Sequence, residues 1–226
     1  MDRSESENQE NNLNDYSWAM WELGELYRLM ENFEQAQLWY QKALSVFEKL
    51  QDFNGIGSYY RGLGDIALGL TRWEEACQQF QKSIDALTQD HRSWSIWGFA
   101  YVQARLGRAL IGLGKFSEAS DILQKALHNA KNQNAWDLIF VPLVGCASLH
   151  FAMGKREQAI ELAAFIVHQK ISWNETKRQA RQVIEFASRD LPSNVMQEAQ
   201  ARGQAMAIDQ AIALALTGME RIQLLT

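Results

Sequence analysis

Cysteine and proline are nearly absent from this chain, with two of each in 226 residues. Two thiols, Cys77 and Cys146, cannot build a disulfide framework. Both sit inside apolar helical patterns and are expected as buried free thiols. Scarce proline leaves helices uninterrupted. No apolar run approaches the roughly 20 residues that span a bilayer, and the start, MDRSESENQENN, lacks the apolar core of a signal peptide. Positive charge is not in excess either. The net charge is −5, which argues against a nucleic-acid partner, since phosphate binding needs a concentrated basic face. The expected setting is soluble, reducing and cytoplasmic, with no membrane partner. β-type alternation is missing, which leaves an all-α chain.

What the chain does have is a Leu-Gly pair that returns at a nearly fixed interval. It stands at Leu23-Gly24, Leu63-Gly64 and Leu106-Gly107, with a worn copy at Cys146-Ala147. The steps are 40, 43 and 40 residues. An alanine lies twelve residues after each of these positions: Ala36, Ala76, Ala119 and Ala159. Four residues later comes Tyr40, Phe80 or Leu123, and then Ala163 in the fourth copy. Glycine costs about 1 kcal/mol inside a helix, so three at one register need a reason. Close approach supplies it: without a side chain there, the second helix of a hairpin can press onto the first. Breaks at Glu31-Asn32, Thr71-Arg72, Gly114-Lys115 and Gly154-Lys155 separate the paired helices. Phe33, Trp73 and Phe116 open the second helix in three copies.

This pattern resembles the tetratricopeptide repeat, in which Leu-Gly, a tyrosine three residues on and a later Ala-x3-aromatic mark each unit. Leu23-Gly24-x2-Tyr27 with Ala36-x3-Tyr40 meets it best. The second and third copies keep the Leu-Gly pair but carry Ala67 and Leu110 for the tyrosine. The closing proline is missing throughout, which lets the second helices run on and lengthens the repeat to about 40 residues. The resemblance implies a tetratricopeptide-like α-solenoid of about four hairpins over residues 15–170. A polar, disordered lead is expected at 1–14, and a helical cap at 171–226. Within the cap, one helix is expected from Asn174 to about Arg189 and another from about Asn194 to Arg202. Gly203 is expected to interrupt before a last helix containing Ile208, Ala211, Ile212 and Ala215. The stretch Ala199–Ala205 with Ile208–Leu216 is similar to the end of the repeat region in bacterial multidomain signalling ATPases and LuxR-type regulators. His168 and Glu175-Thr176-Lys177 fit that likeness. No nucleotide-binding or DNA-binding domain accompanies it, so the chain reads as a fragment or a free-standing version of that region.

Catalytic readings are weak. Gly107 to Ser117 lacks the spacing and the preceding strand of a phosphate loop, and Gly62-Leu-Gly64 is a poor dinucleotide fingerprint. His91, His128, His150 and His168 are scattered, which disfavours a metal site. Glu25 and Asp65 read better as solvated or ion-paired groups than as an acid–base pair. No enzyme activity and no cofactor are expected.

The expected function is binding of a peptide or partner protein, since solenoids present concave surfaces. The resemblance puts the first helix of each hairpin on the concave side. Residues three before and one and four after the Leu-Gly glycine should then face the groove. The candidate set is Trp18, Trp21, Glu25, Arg28, Arg61, Asp65, Trp97, Tyr101, Arg105, Arg108, Val144 and Ser148. Tryptophan and arginine are favoured interface anchors. The same tryptophans also suit gap filling between repeats, and the charges also suit pairing with one another across adjacent helices. Two alternatives stand beside this reading. One is self-association through Trp18 and Trp21 on the first helix. The other is a regulatory domain that senses a small molecule between repeats and cap, in an aromatic pocket near Trp97, Tyr101 and Trp136.

Overall fold

A computed structural model describes residues 3–89 and 94–217, and the side chains among them except those of residues 3–10 and 94–97. Among the described residues the backbone is helical, with no strand. The helices are α1 (Arg3–Leu29), α2 (Phe33–Leu50), α3 (Phe53–Gly69), α4 (Trp73–Leu87), α5 (Trp94–Gly112), α6 (Phe116–Asn132), α7 (Phe140–Ala152), α8 (Arg156–His168), α9 (Asn174–Ser188), α10 (Ser193–Ala205) and α11 (Ile208–Thr217). This is the all-α, tetratricopeptide-like solenoid class that the repeat predicts. No helix of the described residues is long and apolar enough to cross a membrane.

The turn inside each hairpin repeats as faithfully as the helices. Glu31, Thr71, Gly114 and Gly154 all have positive φ, between 57° and 77°. In each case the following N–H reaches back five residues to close the helix end: Asn32 to Tyr27, Arg72 to Ala67, Lys115 to Leu110 and Lys155 to His150. This left-handed cap satisfies otherwise orphaned carbonyls. Two of the four positions use glycine, which accepts this backbone without strain. Gln51 and Asn134 close α2 and α6 in the same left-handed conformation.

Contacts divide the chain into two units, residues 1–98 and 99–226, with the division inside α5. In the first unit α1 pairs with α2 and α3 with α4, while α3 also packs on α2 and α1. A Cβ added at Gly24 would lie 2.5 Å from the Tyr40 ring, and one at Gly64 would lie 2.5 Å from the Phe80 ring. Both rings are fully buried. The Leu-Gly glycine is therefore the socket for the bulky residue of its own hairpin. Gly62 is a second socket: its Cβ would meet the opposite edge of Tyr40 at 2.6 Å. Tyr40 is thus clasped between its own first helix and that of the next hairpin.

The second unit repeats this device. Leu123 fills the space at Gly107 and again at Gly145. The cap continues the packing: α9 lies on α8 and α7, α10 on α8, and α11 on α7 and α8. These helices cover the last hairpin directly. Gly203 does not interrupt α10. It lies inside that helix against the Glu161 backbone and Ala164 Cβ, and the chain turns at Met206–Ala207 instead. Arg202 fixes the same crossing with bonds to Glu161 at 2.7 Å and Glu157 at 2.9 Å. α1 begins at Arg3. Residues 3–14 contain no proline or glycine, so nothing in that stretch breaks the helix.

Candidate functional site

In the first unit two of the predicted residues, Arg28 and Arg61, act on the carboxylate of a third, Glu25 on α1. Arg28, one turn on, donates from Nε at 3.2 Å to Oε1 and from Nη2 at 3.0 Å to Oε2. Tyr40 on α2 donates its hydroxyl to the same carboxylate. Burial pushes the Glu25 carboxyl up, but the charges of Arg28 and Arg61 and the bonds from Arg28 and Tyr40 outweigh it. The group is held below its ordinary value. The Tyr40 phenol moves the other way, raised by burial and then by the Glu25 charge. Asp65 on α3 is buried and acts on Tyr40 in the same direction.

Arg61 of α3 lies with its guanidinium carbon 4.6 Å from the centre of the Trp21 ring. Both residues are half-buried, and a cation over an indole at this distance attracts it. Trp21 stacks on Tyr40 at 6.3 Å and meets Trp18 edge-on at 5.8 Å, and Trp18 packs on Phe47 at 5.1 Å. The two tryptophans therefore fill the α1–α2 seam. Both rings are half-buried.

In the second unit the predicted residues are taken up by the protein itself. Arg105 of α5 is buried and donates to Glu175 of α9 at 2.7 Å. Its guanidinium carbon is 5.3 Å from the Tyr101 ring, and Tyr101 in turn packs on Trp173 at 6.2 Å. The cap thus places an acid and an indole on the side chains predicted to meet a ligand. Val144 is fully buried, so it is core and not groove lining. The Ser148 hydroxyl donates to the Val144 carbonyl of its own helix at 2.9 Å. Arg108 is half-buried. The Trp97 side chain lies outside the described residues. Trp136 sits in the turn before α7, 40% exposed.

Two features escaped the sequence reading. Glu175 and Trp173 are the partners of Arg105 and Tyr101, and nothing in local spacing links residues 70 apart. The second socket, Gly62 and Gly145, was visible: each stands two residues before the repeat's glycine or alanine. Elsewhere in this unit an open recess of about 730 Å³ runs between α5, α6 and α11. Its exposed wall is mostly apolar, with Leu127, Ile212 and Leu216 beside Gln103, Lys125, His128 and Lys131. Cys146 is buried, which pushes its thiol up, and Cys77 is only half-buried. Among the described residues no group of His, Cys, Asp and Glu is arranged to hold a metal ion.

Models of the tetratricopeptide repeat match the chain at residues 15–89 and 100–132. No curated protein and no solved structure matches it. The matched segments fall on the hairpins α1–α2, α3–α4 and α5–α6, each built on a glycine socket and a left-handed turn, and there the chain is similar to tetratricopeptide repeats.

Proposed function

We propose that this chain is a protein-binding scaffold that holds a peptide or partner protein on the α1–α3 face of its first unit, without catalysis. Tetratricopeptide repeats generally mediate protein–protein interaction. The observation that carries the choice of face is the half-buried Arg61–Trp21 pair, with the Arg61 charge acting on Glu25. Arginine and tryptophan at the edge of a packed, partly desolvated cluster are the residue types that anchor interfaces. Arg28, Tyr40 and Glu25 hold the pair in position, so a partner meets a preformed surface. An acidic or carboxylate-bearing side chain is the complementary group for the Arg61 edge. The likeness of residues 199–216 to the repeat region of bacterial regulators supports a regulatory or signalling setting.

The test is affinity capture with the full chain, identification of the retained protein and titration of it against Arg61→Ala and Trp21→Leu. Arg61→Ala should weaken binding at least about tenfold with the thermal midpoint little changed. Unchanged affinity in both variants would remove this face from the reading.

The recess between α6 and α11 favours a second reading, a small polar or anionic ligand held between repeats and cap. Lys125, His128 and Lys131 stand in its open wall beside Leu127, Ile212 and Leu216. A ligand of that kind should shift the melting temperature of the chain, and Lys125→Gln with Lys131→Gln should abolish the shift.

A further inference from the structure

We propose that the outward face of α1 is a second docking surface, and that its occupant is an amphipathic helix whose apolar seam is flanked by basic residues. Tyr16, Ala19, Leu23, Leu26 and Met30 follow one another at steps of 3, 4, 3 and 4, the spacing of a coiled-coil seam. They remain at the surface: Tyr16 is 62% exposed, Leu26 56% and Met30 74%. A lone exposed leucine is ordinary, but an unbroken stripe over four turns marks an interaction surface. At about 100° per residue, Leu23 stands about 160° around the helix from Glu25. The stripe is therefore separate from the Trp21–Arg61 face and does not depend on that reading.

Charge selects the occupant. Asp15 and Glu22 are exposed beside the stripe, and Glu31 is exposed just past its end. Within residues 11–31 the one basic side chain is Arg28, which is buried and bonded to Glu25. A second copy of this chain would bring two acidic margins together, and like charges beside a helical seam oppose pairing. A helix with lysine or arginine at its margins meets the same surface with opposite charge. The stripe is about 21 Å long at 1.5 Å per residue, so it takes roughly four turns of the partner, laid helix against helix.

The experiment uses the full chain and two synthetic helices, each of about 18 residues. Both carry leucine at the seam positions; one has lysine at the margins and the other glutamate. The lysine peptide should bind at least about tenfold more tightly than the glutamate peptide. Leu26→Gln with Met30→Gln should weaken it by a further factor of about ten. Both positions are mostly exposed, and an unchanged thermal midpoint confirms that the variant folds. Arg61→Ala should leave this binding alone while affecting the inner face, which separates failure of one surface from failure of the other. Equal affinity for the two peptides would overturn the proposal. So would retention of the lysine peptide by the double variant, since general attraction to an acidic protein would then explain it. A dimer of the chain in sedimentation velocity that the double variant dissolves would give the face to a second copy instead.

Discussion

Gly64→Ala tests the packing logic of the whole chain. The new methyl would lie 2.5 Å from Phe80 Cε1, 2.6 Å from Cδ1 and 3.0 Å from Cζ. Carbon atoms prefer about 3.5–4.0 Å, so the ring or the helix must retreat by roughly 1 Å. Phe80 is completely buried and has no free volume to retreat into. Overpacking of this kind costs about 1–3 kcal/mol. Alanine regains about 1 kcal/mol of helix propensity over glycine. The net expectation is a loss of about 1–2 kcal/mol. Gly69, at the end of the same helix, is the control. It is exposed, and a Cβ there meets only Phe33 Cζ at an ordinary 3.9 Å. Gly69→Ala should therefore stabilise by about 0.5 kcal/mol. Urea unfolding followed by circular dichroism reads both variants, and they should differ by about 2 kcal/mol with opposite signs. In a Phe80→Ala background the penalty of Gly64→Ala should vanish. If Gly64→Ala stabilises the parent chain as much as Gly69→Ala does, close approach is not why the repeat keeps its glycine.

Further outcomes follow from single contacts. Thr71 is β-branched, exposed and held at φ 57°, so Thr71→Gly should stabilise by about 1 kcal/mol in a thermal melt. His150 is fully buried on α7; burial, then the Lys155 charge, lowers its pKa from 6.5 to about 4, against a smaller opposing effect from the Ala215 backbone. The unfolded chain then binds the extra proton between these values, so stability is full above pH 6.5 and falls as pH drops toward 4. The loss is about 3 kcal/mol, and a His150→Met variant should show a shallower decline over that window; an identical decline would disprove the assignment. Glu175→Gln leaves buried Arg105 without its 2.7 Å carboxylate and should cost about 2 kcal/mol in urea, the partly exposed acid softening the full buried-pair penalty. Arg105→Met added to it should restore part of that loss, because the buried charge is gone.

The hairpins could be read from the sequence because their causes are local. Gly24 and Tyr40, or Gly107 and Leu123, lie 16 residues apart within one hairpin, so their size pairing shows as a periodic pattern. The same locality fixed the turns at Glu31, Thr71, Gly114 and Gly154. It also brought Trp21, Glu25 and Arg28 onto one helix, where three- and four-residue spacing decides neighbours. Gly203 resisted because a glycine in a helix and a glycine that ends one look alike in sequence. Only the backbone of α8 beside it distinguishes close approach from interruption.

Side-chain spacing thus determined which helices form, where they turn and which small residues sit at each crossing. Tertiary structure decided what those side chains meet. It gave Arg105 to Glu175 across 70 residues, buried Val144, and left the opposite flank of α1 in solvent. The reason is physical: helix pairing obeys a short repeating register, whereas burial depends on every element that later packs against a face.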